Sequence, residues 1–189
     1  MSHVTEPNSH ISASSLPNVN DVIAASKRLH GLIQQTPVLT SRGLNKLFNC
    51  QLYFKAEHLQ TTGAFKFRGA NNAIQQLPAE VVGTVTHSSG NHGAALAAAA
   101  SQKGVKAHVV MPNNAVRSKI EAVKSYGGII HLCEPTQQAR EEGMAELARQ
   151  GMAAIPPFDD NRIIAGQGTA TLELMRQQAD LDLILTPVG

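Results

Sequence analysis

The sequence predicts an α/β fold in which parallel sheets are covered by helices. Three observations carry this expectation. Short apolar segments alternate with helix-length segments from residue 84 onward. Glycines stand just after three of those helices, at Gly104, Gly127 and Gly151, where the backbone turns left-handed. Helices of this length between strands are the crossovers that parallel pairing requires.

The elements follow in order. Residues 20–34 read as a helix, capped by Asn20 or Asp21, with Val22, Leu29 and Ile33 on one face; Thr36-Pro37 stops it. A short strand is expected at 52–55. A helix follows at 66–76, with Ala70, Ala73, Ile74 and Leu77 turned inward and Pro78 just beyond. Strands at 84–87, 107–111 and 129–133 then alternate with helices at 91–103, 115–126 and 136–150, and Pro112 stops the second strand. A helix at 170–179 leads into an apolar strand at 183–186. The sequence stops at Gly189, just after that strand, where the ligand loop of a parallel sheet begins. It is therefore expected to be the first part of a longer, truncated fold.

The bulk properties exclude several function classes. With 42% hydrophobic and 16% charged residues, 189 residues can bury a real core. A net charge of +2 and 4% aromatic residues give no support for a nucleic-acid partner or a membrane surface. No segment is apolar long enough to span a bilayer. Residues 1–16 are polar and Ser-rich, without the basic start and apolar stretch of a signal peptide. Residues 1–18 are expected to form a flexible tail. Cys50 and Cys133 are not in a Cys-x-x-Cys pair, and they read as reduced thiols of a cytoplasmic protein.

Two segments carry chemistry. The first, Thr61-Thr62-Gly63-Ala64-Phe65-Lys66-Phe67-Arg68-Gly69-Ala70, sets a lysine between two phenylalanines at a helix start. A lone lysine is ordinarily a surface residue. An amine flanked by apolar rings and near positive charge instead loses solvation, has its pKa lowered, and suits a Schiff base with an aldehyde cofactor. The second, His87-Ser88-Ser89-Gly90-Asn91-His92-Gly93, joins a strand to an Ala-rich helix. It reads either as a simple helix cap or as an anion site built from backbone N–H groups, hydroxyls and an amide.

Other features are quieter. The eight histidines show no His-x-x-x-His pair with an intervening glutamate and no Cys/His cluster, so no metal ligands are expected in this segment. Arg117, Lys119 and Arg140-Glu141-Glu142 read as solvated faces. No phosphate loop or nucleophile elbow is present, and Gly166-Gln167-Gly168-Thr169 lacks the third glycine of a dinucleotide fingerprint.

Taken together, the Lys66 segment, the 87–93 loop and Ile164-Ala165-Gly166-Gln167-Gly168-Thr169, in that order, closely resemble the serine/threonine dehydratase and serine racemase family. These are fold type II, tryptophan-synthase-β-like enzymes of pyridoxal 5'-phosphate. The resemblance runs from about Val19 to Gly189 and includes Val110-Met111-Pro112 and Tyr126-Gly127. It implies a two-lobed fold: residues 19–83 as the first part of the large cofactor domain, 84–157 as a small α/β domain, and 158–189 as the return to the large domain, cut off at the phosphate-binding loop.

The resemblance also implies roles. Lys66 matches the lysine that forms the Schiff base and acts as base on the substrate Cα–H. Phe65 packs beside the cofactor, and Asn91 bonds its ring hydroxyl. Gly189 is the first glycine of the phosphate cradle. Ser88, Ser89, Asn91 and His92 hold the substrate carboxylate, and Ser89 serves racemases as acid/base on the opposite face. Arg140 lies near the substrate side chain. The implied reaction is dehydration and deamination of serine, threonine or 3-hydroxyaspartate to a keto acid and ammonia. Serine racemase activity and a catalytically incomplete fragment are the alternatives. The family also implies a homodimer and a divalent cation bound beyond Gly189. Three departures matter. Ala64 replaces a common serine. Pro157-Phe158-Asp159-Asp160 is similar to the dehydratases, which lack the asparagine of mammalian racemases. Ala94 replaces the glutamine of nucleotide-responsive racemases, which argues against ATP activation.

Overall fold

The computed structural model describes residues 16–187. The expected tail through residue 15, and Gly189, lie outside the described residues. The described chain opens with α1 (Val19–Arg28), β1 (Val38–Leu39), α2 (Arg42–Phe48), β2 (Phe54–Lys55), a 3-10 turn (Glu57–Leu59) and α3 (Lys66–Gln75). It continues with β3 (Gly83–His87), α4 (Asn91–Lys103), β4 (Lys106–Pro112), α5 (Arg117–Ser125), β5 (Ile129–Cys133), α6 (Gln137–Arg149), β6 (Ala153–Ala154) and α7 (Asn161–Gln177).

β3 to β6 form a parallel sheet in the order β5-β4-β3-β6. Helices cover both of its faces. Ala107, Val109 and Met111 pack with the alanines of α4 and Val123 of α5, while Val85 and Val110 pack with Leu147 of α6. β1 and β2 pair separately and antiparallel. The larger core cluster runs without a break from Phe67, Ala70 and Ala73 of α3 into α4, across the expected division at residue 84.

The Ala-rich run of α4 explains how these layers fit. Residues 92–100 are buried on every side of the helix, because all but His92 and Leu96 carry no more than a methyl and let α3 and the sheet both come close. Gly93 is the tightest point: a Cβ there would stand 2.9 Å from Val109 Cγ1.

Several boundaries differ from the sequence reading. α1 ends at Arg28, and the chain turns at Gly31, whose φ of +77° only glycine adopts cheaply. Its cap is Asn18, which accepts from the Asn20 N–H at 2.8 Å while Asp21 accepts from the Asn18 N–H, a capping box. Asn20 and Asp21 are therefore not the cap residue. α7 begins at Asn161, nine residues before the expected start, so Gly166-Gln167-Gly168-Thr169 is helical. The strand expected at 183–186 is absent: that segment has no ladder partner among the described residues, and Leu183 and Leu185 are exposed. β6 is a two-residue strand that periodicity did not reveal.

The candidate active site

Lys66 opens α3. The preceding Thr61–Phe65 turns are pinned from α5, where the Tyr126 hydroxyl donates to the Thr61 carbonyl at 2.9 Å. The Lys66 ammonium reaches the Pro157 carbonyl at 3.1 Å and lies 5.5 Å from the Phe65 ring centroid. Pro157 follows β6, so this places Lys66 beyond the carboxyl end of the parallel sheet, where ligands gather in α/β proteins. Burial holds its pKa below the ordinary lysine value.

The source of that shift differs from expectation. The neighbouring positive charge, Arg68, is fully buried and sealed by carboxylates. Its guanidinium donates to Glu57 at 2.7 and 2.8 Å and to Glu173 at 3.1 and 3.2 Å. Lys55 joins the cluster through Glu173 and the Thr36 carbonyl. Two cations face two anions, leaving desolvation as the cause that lowers the Lys66 pKa. Sequence reasoning missed this cluster, because its members come from distant segments.

The 88–92 loop leaves the carboxyl end of β3 and enters α4. Ser88 is buried, and its Oγ accepts from the Gly90 N–H at 3.1 Å. Ser89 and Asn91 are exposed. Asn91 Oδ1 accepts from the Lys119 ammonium at 2.6 Å. Lys119, read from sequence as part of a solvated face, is thus a neighbour of the loop. His92 lies beneath the loop at 3% exposure. Neither of its ring nitrogens makes a hydrogen bond of normal geometry. Burial first, and then the charge of Lys66, push its pKa down to about 3, against the weaker opposing pull of the Ile155 carbonyl. The imidazole is therefore neutral across physiological pH.

The remaining residues are less closely joined. Arg140 on α6 turns its guanidinium back to the Thr136 carbonyl at 3.3 Å, yet its charge still helps lower the pKa of His87, after burial. Phe158 meets the His87 ring edge-on at 6.1 Å. A cavity of about 480 Å³ lies elsewhere, between α1, α3 and α7, lined by Asp21, Arg28, Asn72 and Arg162. None of the expected site residues lines it.

These observations bear on the expected cofactor. A desolvated amine, an aromatic ring, an exposed amide and a helix N-terminus form a donor set that suits an aldehyde-bearing anion. The buried Thr62 Oγ1 and both His92 nitrogens are polar atoms that make no hydrogen bond of normal geometry, and the Lys66 charge acts on the His92 ring. A profile described as "Pyridoxal-phosphate dependent enzyme" matches residues 29–189. The chain belongs to the pyridoxal-phosphate-dependent enzyme family.

Individual members of that family sharpen the relationship. Serine racemase of Dictyostelium discoideum is 48% identical over 174 residues, covering 90% of this chain and 54% of that protein. The beta-hydroxyaspartate dehydratase of Paracoccus denitrificans is 44% identical over 177 residues, covering 92% and 56%. The crystal structure of a threonine deaminase from the organism abbreviated T.th. superimposes with a TM-score of 0.80 at 44% identity, covering 85% of this chain and 52% of that one. The chain spans about half the length of the curated relatives it matches. Its helices and parallel sheet are those of fold type II pyridoxal-phosphate enzymes. Among the described residues no three His, Cys, Asp or Glu side chains gather as metal ligands, and no helix is long and apolar enough to cross a membrane.

Proposed function

We propose that the whole protein removes the hydroxyl and amino groups of a hydroxy amino acid (serine, threonine or 3-hydroxyaspartate), releasing a keto acid and ammonia. The observation that carries this is the desolvated Lys66 amine, set beside the Phe65 ring beyond the strand ends. Relatives named as serine racemase, hydroxyaspartate dehydratase and threonine deaminase support it.

Bound pyridoxal phosphate supplies a sink for the electron pair left when the substrate Cα loses its proton. The chain's own residues would do the rest. Lys66, whose pKa burial lowers, would hold the cofactor through its amine and, once displaced by the substrate amine, take the Cα proton. Phe65 packs beside the cofactor ring and excludes water from the amine. Asn91, with its Oδ1 held by Lys119, has its amide N–H left to donate to the cofactor's ring oxygen. Ser88, Ser89 and the backbone N–H groups at the start of α4 would take the substrate carboxylate. His92 supports the loop from below as a neutral ring. Arg140 would face the substrate side chain, and Gly189 would open the phosphate cradle.

Racemisation is a second reading, favoured by one observation. Ser89 is exposed at the same loop, and its hydroxyl would be the group that returns a proton to the face of Cα opposite Lys66. Two free thiols, Cys50 and Cys133, fit a reducing cytoplasm, and we place the protein there as a homodimer.

The test is direct. The whole protein is loaded with pyridoxal phosphate, reduced with borohydride and digested. The cofactor is expected on the peptide carrying Lys66, and ammonia and keto acid are expected from at least one of the three substrates. Attachment at another residue, or no turnover of any of them, overturns the reading. Formation of D-serine from L-serine measures the racemase share.

A further inference from the structure

β4 and β5 each carry one histidine on the face covered by α6. The registers pair His108 with Ile129 and Val110 with His131, so the two histidines are diagonal neighbours. Their rings stack, with centroids 5.1 Å apart and planes inclined by 27°. His108 Nδ1 and His131 Nε2 stand 2.9 Å apart and share one proton in a hydrogen bond, which a bound cation would displace. Both side chains are only partly buried. This pair lies apart from Lys66 and the 88–92 loop, and the proposed reaction makes no use of it.

The separation fits a chelate. Imidazole nitrogens bind first-row divalent metals at about 2.05 Å. Two nitrogens 2.9 Å apart then subtend about 90° at the ion, the cis angle of square-planar or tetragonal Cu(II) and Ni(II). A tetrahedral ion would need the nitrogens about 3.3 Å apart. Burial, His131 and Lys106 all hold the His108 pKa below the ordinary histidine value, which favours the neutral imidazole that a metal requires. Lys106 is the charged group that opposes a cation here. The pair was invisible in the sequence because its members lie 23 residues apart and meet only through strand register.

We propose that His108 and His131 form a bidentate site for a tetragonal divalent transition metal, nickel or copper, clipping β4 to β5, with water in the remaining positions.

The decisive property of such a clip is that it exists only in the folded chain, so occupancy must raise thermal stability. NiCl2 at a hundred times its Kd is expected to raise Tm by about 5 °C in the full chain. His108→Gln and His131→Gln should each remove that shift. No shift in the unaltered chain, or a shift that survives either substitution, overturns the proposal. Should a variant fail to fold, imidazole NMR of the unaltered chain decides. Paramagnetic Ni(II) must broaden the His108 and His131 signals first; broadening confined to other histidines overturns the site.

Discussion

Gly69 of α3 and Gly166 of α7 face one another where the two helices cross: a Cβ on Gly166 would stand 2.6 Å from Gly69 Cα and 2.8 Å from the Arg68 carbonyl oxygen. Backbone cannot yield as a side-chain tip can. Gly168, further along the same helix, would set its Cβ 2.9 Å from Val22 Cγ2 of α1, an atom that a rotamer change can move. Gly166→Ala is therefore expected to cost more than Gly168→Ala, by about 1–3 kcal/mol. Urea unfolding of the two variants measures the difference. Because Lys66 opens α3, the first variant should also slow cofactor attachment.

The Arg68 cluster gives a second expectation. Removing one member of a buried ion pair strands the other, at about 3–5 kcal/mol. Arg68→Ala leaves Glu57 and Glu173 facing each other and should lower stability by that order. Arg68→Met, which keeps the volume, should also cost stability unless both glutamates are neutralised with it. Denaturant titration of Arg68→Met, and of Arg68→Met with Glu57→Gln and Glu173→Gln, tests the point.

The same cluster sets an acid limit. Burial pushes the Glu173 carboxyl up, but Arg68 and Lys55 outweigh it, leaving the pKa below the usual glutamate range. Asp160 is likewise raised by burial and lowered further by Arg162. A carboxyl with a depressed folded pKa contributes stability that is present above its unfolded pKa, about 4–4.5, and lost as pH falls through the lower folded value. Thermal stability should therefore fall steeply below about pH 4.5. Glu173→Gln should be less stable at neutral pH and show a flatter acid profile.

Lys66 gives an expectation in the opposite pH range. Burial disfavours its charged form, so its amine should react with pyridoxal phosphate at a lower pH than a solvent-exposed lysine does. Phe65→Ser admits water and should move that midpoint upward. Borohydride trapping at a series of pH values reads both midpoints.

Lys119 should matter to the loop that it touches. It fixes Asn91 Oδ1 as the acceptor and so orients the amide N–H outward. Lys119→Met is expected to weaken cofactor binding about tenfold, the loss of one charged hydrogen bond, with no change in the lysine that carries it. Fluorescence titration with pyridoxal phosphate checks this.

Much of the fold was legible because its punctuation is local. Gly104, Gly127 and Gly151 all take positive φ at the helix ends where the sequence placed them. Ala70, Ala73, Ile74 and Leu77 all point inward, as their spacing on α3 required. The misreadings share a cause: they depended on partners far away in sequence. Gly166 and Gly168 stood outside the expected helix, yet they are the contact points of α7 against two others. Residues 183–186 have strand composition but no ladder partner among the described residues. At the candidate site, Lys66 and the 88–92 loop were singled out from local chemistry. Lys119, Pro157 and the neutralisation of Arg68 were not, since each needs tertiary contact to acquire meaning.

The Arg68 cluster also bears on the order of assembly. Its members come from the segment before β1, from β2, from the 3-10 turn, from α3 and from α7, and one of its hydrogen bonds, from Thr36 to Glu173, spans 137 residues. A chain that docks α3 before α7 arrives leaves Arg68 paired with Glu57 alone and Lys55 without its carboxylate. Half-assembled forms should thus be penalised electrostatically by the open cluster. It closes when the early and late segments have met, at the point where the lysine two residues before Arg68 is finally held in place.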